Sequence, residues 1–202
     1  VWVDCCFIIM QLDIKEQSLI LEGKKYSRKE LMSLSANATG DNTSSFLLDL
    51  YRFLADWFSD SPFMTVHTSG STGTPKVLTV RKEQMMQSAR MTCEFLNLHT
   101  GDTALLCMPL QYIAGKMMVV RALVAGLNLI LRTPSGHPLA DVTVPLRFVA
   151  MVPLQVFNTL QVLREKERLC HTDILIIGGG AIDAALENEI RLLPGEIYST
   201  YG

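Results

Sequence analysis

Apolar positions along the chain change their period several times, and the changes divide it into elements. Residues 18–22 form a short apolar run closed by Gly23, the pattern of a strand ending in a turn. Ser27 and Glu30 have the spacing of a capping box, which predicts a short helix reaching residue 36. Residues 35–45, rich in Ser, Asn and Thr, read as a loop. Phe46, Leu47, Leu50, Tyr51, Leu54, Trp57 and Phe58 then recur at helical spacing, so 46–58 is expected to be a core helix burying one broad face.

From there short apolar runs alternate with amphipathic stretches. The pattern predicts a strand at 63–67, a Gly-rich loop, a strand at 76–81, a helix through 97 and a strand at 103–108. It continues with a helix near 116–124, strands at 128–132 and 147–152, and a helix opening at Pro153. A strand at 173–177, a helix around 182–192 and the start of a strand at 196–199 complete it. Strands separated by helices of this length indicate an α/β fold with mainly parallel sheets covered by helices.

Length and composition narrow the class. A chain of 202 residues suits a single domain with a sizeable core, and 49% apolar against 19% charged residues excludes a mostly disordered chain. Eighteen basic against twenty acidic residues, with no dense basic run, argue against a nucleic-acid partner. The apolar stretch 117–131 carries Arg121 and is shorter than the roughly 20 residues that span a bilayer. Five cysteines, Cys5, Cys6, Cys93, Cys107 and Cys170, show neither a disulfide framework nor Cys-x-x-Cys spacing, and fit a reducing cytoplasm. No signal peptide is visible at the start. His99, His137 and His171 have no ligand spacing, and no metal site is expected from them. A homo-oligomer is compatible with all of this.

The sharpest chemical signal is His67-Thr68-Ser69-Gly70-Ser71-Thr72-Gly73-Thr74-Pro75-Lys76, between two apolar strands. Gly70 and Gly73 let the backbone turn its N–H groups inward, Thr68, Ser69, Ser71, Thr72 and Thr74 add hydroxyl donors, and Lys76 adds a mobile charge. Such a loop suits a polyphosphate; a flexible connector is the plain alternative. It is not a Walker A loop, because Pro75 and Val77 replace that pattern's second Gly and its Mg-binding hydroxyl. His67 either touches the loop's contents or is a strand-end His satisfied by backbone groups.

The same residues match Thr-Ser-Gly-Ser-Thr-Gly-x-Pro-Lys, the signature loop of the adenylate-forming acyl-CoA ligase superfamily, which this chain resembles. Three further segments follow in the family's order. Pro109-Leu110-Gln111-Tyr112-Ile113-Ala114-Gly115 resembles a segment lining the acyl pocket, with Tyr112 at a position usually held by His; an ordinary half-buried Tyr is the alternative. Val152-Pro153-Leu154-Gln155 resembles the start of a pocket-facing helix in o-succinylbenzoate-CoA ligases, a menaquinone-pathway subfamily; otherwise Pro153 opens a helix and Gln155 is a solvated polar residue. Gly178-Gly179-Gly180-Ala181-Ile182-Asp183 is similar to the turn that approaches adenine, with Asp183 replacing a Pro. Its rival is a dinucleotide-binding turn, against which Asp183 argues by its charge and size. Thr200, Tyr201 and Gly202 resemble the start of a segment that packs on adenine.

The resemblance implies a large N-terminal adenylation domain over 1–202. The family's ribose-binding Asp, Mg-binding Glu, hinge and small C-terminal domain with its catalytic Lys would lie outside it, so the chain alone is expected to be inactive. It implies ATP with Mg²⁺, a small carboxylate and CoA as reactants. Thr68 to Thr74 and Lys76 would hold phosphates, with Lys76 catalytic. Gly178, Gly179, Gly180, Ala181, Thr200, Tyr201 and Gly202 would meet adenine, and Tyr112, Ile113, Gly115 and Gln155 the acyl group. Another aryl- or acyl-CoA ligase, or a non-catalytic nucleotide-binding module, is the alternative.

Overall fold

The computed structural model describes residues 12–37, 44–67 and 77–200. The opening is an antiparallel pair, β1 (Ser18–Leu21) and β2 (Lys24–Ser27), followed by α1 (Arg28–Asn37) and α2 (Ser45–Phe58). A hairpin of β3 (Phe63–His67) and β4 (Val77–Arg81) leads into α3 (Lys82–Phe95). The remainder alternates as β5 (Thr103–Leu106), α4 (Ile113–Ala125), β6 (Asn128–Leu131), β7 (Leu146–Met151), α5 (Pro153–Gln161), α6 (Leu163–Cys170), β8 (Thr172–Ile177), α7 (Ala184–Ile190) and β9 (Glu196–Ser199).

Local chemistry explains the boundaries. Ser27 and Glu30 form the capping box, with Ser27 N and Oγ each donating to Glu30 Oε2 at 2.7 Å. At the start of α2, Ser44 Oγ accepts from Leu47 N, and the helix buries Phe46, Leu50, Phe53, Leu54, Trp57 and Phe58. Trp57 lies fully inside, its indole N–H answered by Gln17 Oε1 at 2.8 Å. Gly126, at φ +70°, closes α4 in the left-handed conformation that glycine adopts without strain.

Seven strands form one sheet in the order β2-β1-β6-β5-β7-β8-β9. Only the β1–β2 pair is antiparallel. From β5 the chain crosses through α4 to β6 in one direction; from β7 it runs through α5, α6 and α7 to β8 and β9 in the other. Right-handed crossovers then place the two sets of helices on opposite faces. Strand alternation shows it: Ala104, Leu106, Phe148 and Ala150 join the cluster with α1 to α4, while Leu105, Val149 and Met151 join the one with α5 to α7.

Three expectations from sequence are corrected. The strands 63–67 and 76–81 pair with each other antiparallel, in a two-stranded sheet of their own, and not within the parallel sheet. A strand, β2, lies where only a turn was foreseen. The helix opening at Pro153 ends at Gln161, where Val162 is extended (φ −112°, ψ 113°), and α6 restarts beyond it. No described helix is long and apolar enough to cross a membrane.

Burial also sets the state of two thiols. Desolvation pushes Cys93 and Cys107 each from 9.0 up to about 12. Below about pH 9 both thiols are protonated folded and unfolded. Above that only the unfolded chain ionises, so these two residues lower stability as pH rises from about 9 towards 12, by at most about 1.4 kcal/mol per pH unit and thiol. Denaturant titrations between pH 8 and 11 are expected to show this fall, and it should flatten in a Cys93→Ala, Cys107→Ala double variant.

Candidate functional site

In an open parallel sheet, ligands gather at the carboxyl ends of the strands, where successive crossovers leave in opposite directions. Here that reversal lies between β5 and β7. The segments singled out in the sequence leave the sheet at this pole. Cys107 to Tyr112 follow β5, Val152 and Pro153 follow β7, Gly178 to Ala181 follow β8, and Thr200 follows β9.

Gln155 ties the reversal together. It is only 6% exposed, and its carboxamide is committed to main chain. Oε1 accepts from Val152 N at 3.1 Å, while Nε2 donates to Cys107 O at 3.2 Å and Ser135 O at 2.9 Å. One side chain thus caps α5 and joins it to the segments after β5 and β6. The solvated alternative for Gln155 does not hold, and both of its amide hydrogens are already used. Cys107 Sγ adds a contact to Ala150 O at 3.6 Å.

The glycine turn is built around its neighbours. Gly178 N donates to Met151 O at 3.1 Å and Thr200 N to Ile177 O at 2.8 Å, which holds the ends of β7, β8 and β9 level. A Cβ on Gly178 would come within 2.5 Å of Thr200 Oγ1, and Gly179 has φ +79°. Gly179, Gly180 and Ala181 are exposed, so a planar ligand could lie on bare backbone. Asp183 caps α7, its Oδ1 accepting from Leu186 N at 2.8 Å. That carboxylate occupies the helix N-terminus that a dinucleotide's pyrophosphate would need, which disfavours the rival reading of the turn.

After β5, α4 begins at Ile113, earlier than the periodicity suggested, with half-buried Tyr112 as its N-cap residue. Gly115 is buried in its first turn, and must be glycine because a Cβ there would collide with the Pro109 carbonyl oxygen and lie 2.9 Å from that of Met108. Thr68, Ser69, Gly70, Ser71, Thr72, Gly73, Thr74 and Lys76, with Tyr201 and Gly202, lie outside the described residues. The strands that flank the loop are described. His67 pairs with Val77 across the hairpin and makes an isolated parallel bridge to Tyr112, and its Nδ1 is 3.3 Å from Gln111 O. His67 is therefore the strand-end His satisfied by backbone, and the end of β3 lies beside the Tyr112 segment.

Arg121 was read in the sequence only as an interruption of an apolar run. In α4 its guanidinium lies 5.9 Å from the Phe148 ring centroid, and Nη1 reaches Met118 Sδ. Nε is buried without a hydrogen-bond partner. Burial lowers its pKa, a small opposing effect coming from Cys93. A charge inside the apolar stretch 117–131 was the available signal. Two surface hollows, of about 540 and 480 Å³, lie elsewhere, along α3 and around Arg28 and Lys82; volume alone does not mark this site, and chain topology is the better guide.

Two substitutions test the construction. Gln155→Leu leaves Val152 N–H, Cys107 O and Ser135 O without their partner and is expected to lower unfolding free energy by roughly 1–3 kcal/mol. Gly115→Ala overpacks α4 against the 108–109 backbone and should cost about 1–3 kcal/mol. Urea denaturation measures both, and a change near zero in either would show that the contact is not made.

Comparison with known proteins agrees with this geometry. A 2-succinylbenzoate–CoA ligase of Haemophilus influenzae is 28% identical over 156 residues, 77% of this chain and 33% of that protein. An acyl-CoA synthetase (AMP-forming)/AMP-acid ligase II-like protein from Dyadobacter fermentans superposes with a TM-score of 0.73 at 33% identity, over 85% of this chain and 49% of that one. The o-succinylbenzoate CoA synthetase of Bacillus subtilis, in complex with its acyl-adenylate intermediate, shares the fold with a TM-score of 0.65 at 15% identity, over 95% of this chain and 57% of that one. The chain thus spans about a third of the curated relative and about half of these structures. Residues 5–202 match the AMP-binding enzyme family, and the chain belongs to that family.

Proposed function

We propose that the protein carrying this chain is an acid–thiol ligase: it activates a carboxylate with Mg-ATP as an acyl-adenylate and passes the acyl group to CoA, with o-succinylbenzoate as the acid. The observation that carries the reading is the gathering of four sheet-end segments at the β5/β7 reversal, with the end of β3 held beside Tyr112. The Haemophilus and Bacillus relatives support the acid named. Reduced, buried Cys93 and Cys107 fit the cytoplasm as its compartment.

In this mechanism a carboxylate oxygen attacks the α-phosphorus of ATP, the bond to pyrophosphate breaks, and the charge released is met by Lys76 and the loop N–H groups. Mg²⁺ enters with the nucleotide and neutralises part of the phosphate charge; among the described residues no three acidic, His or Cys side chains gather to hold it. Gly178, Gly179, Gly180 and Ala181 give adenine a flat backbone seat, Thr200, Tyr201 and Gly202 border it, and Tyr112, Ile113 and Gly115 bound the acyl group.

Carboxylate-dependent ATP–pyrophosphate exchange on the full-length protein tests this, with a panel of aryl carboxylates including o-succinylbenzoate. Lys76→Ala is expected to fold normally and lose roughly 10²–10³ in rate. Undiminished exchange by Lys76→Ala would remove the loop's role, and ATP binding without any exchange would favour a non-catalytic nucleotide module.

A further inference from the structure

The β3–β4 hairpin stands outside the main sheet, and an isolated two-stranded unit is marginal in water. Its position therefore depends on what it is tied to. Met64 and Val66 give it a buried apolar face, but apolar contact is non-directional and fixes depth better than register. Polar ties fix the rest. At the end far from the loop, Lys82 N donates to Pro62 O at 2.9 Å, and its buried Nζ donates to Ser59 O at 2.9 Å. At the loop end are the His67–Tyr112 bridge and a bond from Lys116 Nζ to Thr65 O at 2.5 Å.

Lys116 is not placed like a solvated lysine. It is half-buried in the first turn of α4, directly after Gly115. Burial draws its pKa below the ordinary value, with the Asp56 carboxylate acting in the opposite sense. Its bonded partner is a main-chain carbonyl, two residues before β3 gives way to the 68–76 segment. Dehydrating an ammonium for a carbonyl is costly, and what the bond supplies in return is direction: it fixes one point of β3 against the helix that begins at Tyr112.

We propose that Lys116 is a positioning residue, which anchors the β3–β4 hairpin to α4 and so fixes, beside the Tyr112 segment at the carboxyl end of β5, the strand ends from which the phosphate-binding segment is suspended. The proposal rests on the ligase reading for its effect on ATP, while the anchoring itself is open to measurement without activity. Lys116 acts through the hairpin and reaches neither the acyl group nor adenine, so its loss should fall on ATP alone.

The experiment compares Lys116→Met, which keeps the stem and removes the donor, with Lys116→Arg, which keeps a donor, both in the full-length protein. Hydrogen–deuterium exchange is read over 63–67 and 77–81, alongside KM values for ATP and carboxylate in pyrophosphate exchange. Lys116→Met should speed hairpin exchange at least about tenfold with α5 to α7 unchanged, and raise KM for ATP by about 10- to 10²-fold, the scale of a displacement near 1 Å. The carboxylate KM should hold within about twofold, and Lys116→Arg should restore both quantities. Unchanged hairpin exchange in Lys116→Met overturns the proposal. So does a joint rise of both KM values with a lowered melting temperature, the mark of general loosening. Absent exchange activity in the unmodified protein, with the hairpin still loosened by Lys116→Met, counts against the ligase reading and upholds the anchor.

Discussion

The fold turns on the hydrogen bonds of one carboxamide. Where β5 and β7 lie side by side, the chain leaves them in opposite directions, and the helices they feed go to opposite faces. Nothing in the ladder covers the carbonyls and amides that emerge there. Gln155 satisfies three of them at once and does so from within the core. The same reversal that creates a crevice for a ligand creates a shortage of hydrogen-bond partners, and a buried side chain answers the second without closing the first.

Around that point the molecule divides its tasks. The cluster with α1 to α4 holds the larger aromatic and Met side chains and supports the hairpin and the Tyr112 segment. The cluster with α5 to α7 holds Val156, Leu169 and Ile190 and supports the glycine turn. The two parts of the candidate site therefore rest on different cores, joined through a shared sheet. Parallel strands buried on both faces make that joint stiff.

Much of this was legible in the sequence, and what was not has physical reasons. The strands at 63–67 and 196–199 appear with the bounds that their apolar runs give, and the Ser27/Glu30 capping box forms as its spacing requires. Periodicity says nothing of pairing direction, so the hairpin was assigned to the parallel sheet. A segment of only nine residues between its strands, too short for a crossover of a dozen or more, was the signal to the contrary. The strand β2, with Lys24, Lys25 and Ser27 exposed, is a polar edge without alternation. The break at Val162 interrupts an amphipathic run that has no Gly or Pro to announce it. Gln155 and Arg121 carry their meaning in burial, which a local pattern of residue types does not convey.

The contact between Gly178 and Thr200 links residues 22 positions apart, one in the turn after β8 and one at the end of β9. Neither is free to drift alone over evolutionary time. A side chain gained at the first position demands a smaller or displaced neighbour at the second, whereas a reduction at the second relaxes the demand for glycine at the first. Lineages descending from this sequence should therefore show the two positions changing together, with the threonine lost before the glycine. Such an order of substitution is written into the geometry of one turn.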